Sequence, residues 1–291
     1  MNNSRLTIKN IVHQKMINKL FYLAYLLSLL IVSCETNPPT SPDITPTGNI
    51  VLNLKVDNTA AVTLASKVVI IEDFANVSCN PCVTSNKIIE DLTNVTYGRS
   101  KLVAVKFPTN FPAPNDLFYL AAKEICDARI SYYNVFFAPT TVIDGILRPI
   151  STDSNSVKAA VDTRLAVTPR FNVKVSAILE GDYTVNVDIK FVDTTSINMS
   201  DLVIHTVLTE TYIEFEQAPG SNGETKFYDV TRLMLPTLEG TPIRQLVDQG
   251  ELVFSFEDAL ISSWNLEHLN FVVYIQDKNT KEVFQTGSTF E

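Results

Sequence analysis

Lys67-Val68-Val69-Ile70-Ile71-Glu72-Asp73-Phe74-Ala75-Asn76-Val77-Ser78-Cys79-Asn80-Pro81-Cys82 is the stretch on which the reading of this chain turns. Its first half is a β-branched run too continuous for a surface strand, which predicts the centre of a sheet covered on both faces. Pro81 stands where a helix starts, and Ile88, Ile89, Leu92 and Val95 follow at helical spacing. The cysteines therefore sit where a strand gives way to a helix. There the free backbone N–H groups and the positive helix end favour thiolate over thiol at Cys79, and Cys82, one turn later, is placed to close an internal bridge.

Working outward, Ile50, Leu52, Leu54 and Val56 alternate with polar residues as a strand, Asp57-Asn58 supplies a turn, and 62–64 is expected to return as a second strand. Downstream, 101–107 reads as a strand, and Leu117, Leu120, Ala121, Ile125 and Ala128 form a second helical stripe. Pro139-Thr140-Thr141-Val142-Ile143 then leads into Asp144-Gly145, a strong hairpin signal, and 155–167 is predicted helical. Beyond Pro169 the segments 171–179, 183–192, 202–213, 252–256, 271–275 and 283–290 all read as strands with no convincing helix between them. That pattern predicts an antiparallel sandwich of immunoglobulin-like shape. The stretch 214–250 is read as a long, turn-rich loop, a type often functional or mobile.

The N-terminus carries Arg5, Lys9, Lys15 and Lys19 with no acid, then an apolar run over 20–32 ending Ile31-Val32-Ser33-Cys34. The run is short for a transmembrane helix but fits the core of a secretory signal. Its end resembles the bacterial lipobox, which implies lipid attachment at Cys34. Pro38, Pro39, Pro42 and Pro46 follow among polar residues, the composition of an extended tether. The expected organisation is a signal peptide over 1–33, a tether over 34–48, a first domain over 49–167 and a second over 168–291. The chain's 23 Lys and Arg stand against 32 Asp and Glu, a net charge of −9, and loss of the signal makes it more acidic still. Such a surface repels phosphate backbones, so nucleic acid is rejected as a partner.

A lone Cys-x-x-Cys is compatible with half a zinc site, a structural staple or a redox pair. Zinc in a structural site needs about four thiolate or imidazole ligands. Past the signal the chain offers only His205, His268 and the distant Cys126, so neither metal nor cofactor is expected. Cys126 reads as a small buried residue and His205 is given no chemistry. Trp264, Tyr212, Phe215, Phe227 and Tyr228 read as packing residues before they read as a binding face.

Ile70-Ile71-Glu72-Asp73-Phe74 followed by Cys79-Asn80-Pro81-Cys82 resembles the strand, buried acid, aromatic and paired cysteines of the thioredoxin-like superfamily. The resemblance implies an α/β thioredoxin-like domain ahead of the all-β immunoglobulin-like sandwich. It implies too that Asp73 relays the proton of Cys82. Glu72 competes for that role, because adjacent strand residues face opposite ways. Ala138-Pro139-Thr140 resembles the same fold's cis-proline loop, which makes Pro139 part of the site. Ser78 in place of an aromatic and Asn80 in place of glycine depart from the family pattern.

The lipobox, tether, cysteine block and closing strands over 271–277 and 281–283 together resemble the outer-membrane-protein-twenty-eight-related lipoproteins. That likeness implies a lipid-anchored envelope protein of the outer membrane. The functional expectation is a thiol–disulfide oxidoreductase acting on exported proteins or on a membrane redox partner through Cys79 and Cys82. The alternative is a surface binding or adhesion lipoprotein that keeps the first domain as a scaffold with no turnover.

Overall fold

The computed structural model describes residues 45–57 and 66–290. The signal peptide, Cys34, most of the tether and the strand expected at 62–64 lie outside the described residues.

Two sheets carry the fold. The smaller has four strands, with β1 (Pro46–Val56) between β12 (Glu251–Ile261) and β6 (Asp182–Phe191), and β5 (Phe171–Glu180) outside β6. The larger runs β14 (Val283–Ser288), β13 (Leu269–Asp277), β7 (Leu202–Glu210), β10 (Val230–Leu235), β3 (Leu102–Pro108), β2 (Val69–Ala75), β4 (Thr140–Ile143), with the short β11 (Thr241–Pro242) also paired to β7. A two-residue ladder joins β8 (Ile213–Glu214) to β9 (Lys226–Phe227). The helices are α1 (Asn80–Asp91), α2 (Leu117–Ala121), α3 (Lys123–Tyr133), α4 (Ser154–Leu165) and α5 (Ile243–Gln249).

This architecture corrects the expectation of an α/β thioredoxin-like domain followed by a separate immunoglobulin-like sandwich. Mixed sheets dominate, and strands from the two expected halves share them. Strand β1 pairs in parallel with β6 and antiparallel with β12. Strand β10 pairs in parallel with β3 through Val230 and Lys106, and antiparallel with β7. The segment that makes this join, Val230-Thr231-Arg232-Leu233-Met234-Leu235, lies inside the stretch read as loop. A register shift between Thr231 and Leu233 breaks its period of two, which is why alternation did not reveal it.

The core follows from the pleat. Ile70, Phe74, Val103, Val105 and Phe107 point to one face of the large sheet, where Tyr133 of α3 packs together with Val207, Val272 and Tyr274. Ile71, Ala104 and Ile143 point to the other, under Ile89 of α1 and Val157 and Val161 of α4. On that same side Leu208, Phe271 and Val273 meet Leu52, Leu54, Val185 and Val187 of the small sheet. The second helical stripe is interrupted at Ala122 (φ −130°, ψ 36°), which separates α2 from α3. The hairpin signal at Asp144-Gly145 is realised with both residues at positive φ and Ile143 bridged to Leu147.

Candidate functional site

Strand β2 is buried along its whole length, so its alternation sends neighbouring acids into two different environments. Glu72 faces α3. It accepts hydrogen bonds from Arg129 Nε (3.0 Å), from the Tyr133 hydroxyl and from the Tyr274 hydroxyl (3.4 Å). The Arg129 guanidinium is also stacked near Tyr132 and Tyr133, 4.6 and 4.8 Å from their ring centroids. Glu72 is thus consumed by a structural ion pair.

Asp73 faces the side covered by α1. Its Oδ1 accepts from the Thr141 hydroxyl at 3.3 Å and its Oδ2 lies 3.5 Å from Lys106 Nζ. Burial pushes its pKa up, Lys106 and Thr141 oppose that rise, and the charge of Glu224 adds to it.

The turn between β2 and α1 is held from several sides. Asn76 donates to the carbonyls of Thr109 (2.6 Å) and Ala113 (2.9 Å) and accepts from Ser78 N. Asp116 accepts from Val77 N at 2.8 Å while capping α2. Cys79 occupies the N-cap of α1 with extended backbone angles, and no side-chain hydrogen bond caps that helix. Cys79 thus stands at the positive end of the helix. Cys79 and Cys82 are joined by a disulfide with their Cα atoms 5.3 Å apart. Both are buried, at 2% and 0% exposure, and pack with Ala75 and Ala138. The Ala138–Pro139 bond is cis. Phe136 and Phe137, just before it, are exposed.

The structure therefore gathers Cys79, Cys82 and the Ala138–Pro139 loop, and it turns Asp73 rather than Glu72 to the sheet face beneath the cysteine-bearing helix. Cys34 lies outside the described residues. Cys126 is buried against Tyr119 and Ala122, and burial pushes its thiol pKa up. Phe215 and Phe227 pack edge-on against Phe118. Among the described residues no cluster of three or more His, Cys, Asp or Glu is placed to hold a metal, and no helix is long and apolar enough to cross a membrane.

The sequence reading missed the residues that pack on the turn leading into the bridge. Asn222 N donates to the Val77 carbonyl (3.1 Å), Ser221 N to the Ser78 hydroxyl (3.3 Å) and Asn222 Nδ2 to the Cys79 carbonyl (3.5 Å). Gly220 lies so close that a Cβ there would stand 2.1 Å from the Val77 oxygen. Glycine and asparagine at 220–223 signal a turn, but nothing local ties that turn to cysteines some 140 positions earlier.

Fold and site together define a mixed-sheet protein with a Cys-x-x-Cys disulfide at a strand-to-helix junction. No family model matches the chain, and no curated protein matches it. Among solved structures it is similar to HBP35 of Porphyromonas gingivalis, with a TM-score of 0.58 at 12% identity over 77% of this chain and 75% of that one. Protein AGR_C_4864 from Agrobacterium tumefaciens aligns with a TM-score of 0.49 at 10% identity, over 79% and 94% of the two chains. The likeness to HBP35 is one of fold.

Proposed function

We propose that this protein carries out thiol–disulfide exchange with exported protein partners through Cys79 and Cys82, held at the cell envelope by a lipid on Cys34. The observation that carries the reading is the pairing of a disulfide at the start of α1 with a buried carboxyl, Asp73, whose pKa is raised, on the sheet face below that helix. In the oxidising direction a thiolate of the partner attacks Cys79 Sγ, the Cys79–Cys82 bond breaks, and Cys82 departs as a thiolate that takes a proton from Asp73. A second partner thiolate then attacks the mixed disulfide and releases Cys79. Two electrons pass from the partner dithiol to the protein; the two protons that the partner thiols shed to water on forming thiolates are balanced by the two that water returns, one to Asp73 and one to the released Cys79 thiolate, and the reverse sequence reduces a partner disulfide.

Burial of both sulfurs favours a second reading, in which the bridge is a fixed staple in a binding or adhesion lipoprotein. The reduction potential of the bridge decides between them. A value above about −300 mV marks a working couple, and one well below it marks the staple. Exchange with a model protein disulfide must also be lost in Cys79→Ser, and equal rates in variant and wild type refute the redox reading.

A further inference from the structure

The segment 220–224 touches both halves of the candidate site. At one end its backbone and Asn222 bond to Val77, Ser78 and Cys79, in the turn that leads into the bridge. At the other, Glu224 accepts from Asn86 Nδ2 on α1 through both carboxylate oxygens (2.8 and 3.0 Å) and from Asn222 Nδ2 (2.6 Å). Asn86 turns its oxygen to Lys106 Nζ, and Lys106 is the ion-pair partner of Asp73. One carboxylate thus ties the segment on the Cys79 turn, through Asn86 and Lys106, to Asp73. Asn76, Asn86, Lys106, Asp116 and Glu224 also line one small, partly open pocket beside the turn.

We propose that 220–224 is a strap that governs access to the Cys79–Cys82 bridge, and that Glu224 is the positioning residue coupling its seating to the Asp73–Lys106 pair. This rests on the redox reading for its biological purpose, but not for its test. With the strap seated, a partner sulfur has no path to Cys79, which is 2% exposed. Exchange proceeds from the fraction of molecules in which the strap has lifted. Lifting also carries Glu224 away from Lys106 and Asp73. The groups facing Asp73 are then Lys106 on β3, Thr141 on β4 and, through Lys106, Asp116 ahead of α2. A partner able to replace the strap's hydrogen bonds to Val77, Ser78 and Cys79 opens the site, so selection lies in the partner's backbone as well as in its sulfur.

The test uses the full oxidised chain. Its bridge is reduced with dithiothreitol well below the melting temperature of each variant, and the freed thiols are trapped with a maleimide. Glu224→Gln and Asn222→Ala are expected to be reduced about tenfold faster than wild type, the change that loss of one charge-assisted hydrogen bond of about 1.4 kcal/mol converts to. Glu216→Gln, an exposed change in the same connection, keeps the wild-type rate. Carbon-13 NMR of the Asp73 carboxyl supplies a readout that a merely structural latch leaves alone. Removal of the Glu224 charge moves its titration to lower pH. Rates within twofold of wild type for both variants overturn the strap, and an unmoved Asp73 titration overturns the coupling. Because dithiothreitol is not a protein partner, fast reduction of the variants alongside equal protein exchange by Cys79→Ser and wild type discards the redox function and keeps the strap. The opposite pair of results discards the strap and keeps the function.

Discussion

Replacing Arg129 by methionine tests the division of labour between the two acids of β2. Arg129 is 2% exposed and donates to Glu72, which is itself fully buried, so the substitution leaves a carboxylate in the core with only the Tyr133 and Tyr274 hydroxyls beside it. Breaking one side of a buried pair costs about 3–5 kcal/mol, because the desolvated charge stays behind. For a chain of this size each kcal/mol moves the melting temperature by about 2–4 °C, so the expected fall is about 6–20 °C. Glu72→Gln leaves a buried guanidinium and is expected to fall comparably. The double variant has no uncompensated charge and keeps most of the packed volume, so it melts above either single variant. None of the three should alter the bridge's reduction potential, because Glu72 points away from α1. Thermal unfolding of the four proteins, followed by near-UV circular dichroism, supplies the cycle. Strictly additive losses would refute the ion-pair account, and a shifted potential in Glu72→Gln would refute the assignment of faces.

Asp73→Asn is expected to become more stable relative to wild type as pH rises. The folded carboxyl keeps its proton above the ordinary value of 3.8, so between that pH and its folded pKa the native state binds more protons than the unfolded chain and wild-type stability falls as pH climbs. Urea midpoints from pH 4 to pH 7 check this, and a constant difference between the two proteins refutes it. His205 works in the opposite sense. Burial and the nearby Arg129 charge hold its pKa well below 6.5, so the unfolded chain gains a proton first as pH falls. His205→Gln should therefore lose less stability than wild type between pH 6.5 and 5, by up to about 1.4 kcal/mol per pH unit, and parallel acid curves would exclude this. Gly145→Ala puts a methyl 1.7 Å from the Lys281 carbonyl oxygen at φ +76° and is expected to cost about 3 kcal/mol, whereas Gly98→Ala, at φ +77° in open space, should cost about 1 kcal/mol. Equal costs would mean that backbone strain, not overlap with Lys281, governs Gly145.

Local pattern made individual elements legible and left their partners hidden. The β-branched run at 68–71 and the strand at 101–107 were readable because burial on both faces leaves no polar alternation. Asp144-Gly145 was readable because a turn demanding positive φ narrows the choice of residues. Strand pairing has no such local mark. Residues 50–56 alternate as any half-buried strand does, and nothing in them reveals that Leu52 lies between Val185 and Phe254. The order of elements therefore suggested two successive domains, while the chain interleaves its ends.

The cover of the disulfide escaped notice for the same reason as the missed strand, and the two are one structural fact. Strand β10 enters the large sheet beside β3, where Lys106 N donates to the Asp229 carbonyl at 2.8 Å and Arg99 pairs with the Asp229 carboxylate at 2.6 Å. That entry point fixes where the preceding residues run. Phe227 is pressed against Val77 and Phe118, and 220–224 is laid over the turn that carries Cys79. Once β10 is in the sheet the cover has one anchored end, and the bonds of Ser221, Asn222 and Glu224 hold the other against the turn and α1. Access to the disulfide thus depends on a few polar contacts that a single substitution can weaken while the cores on both faces of the large sheet stay intact.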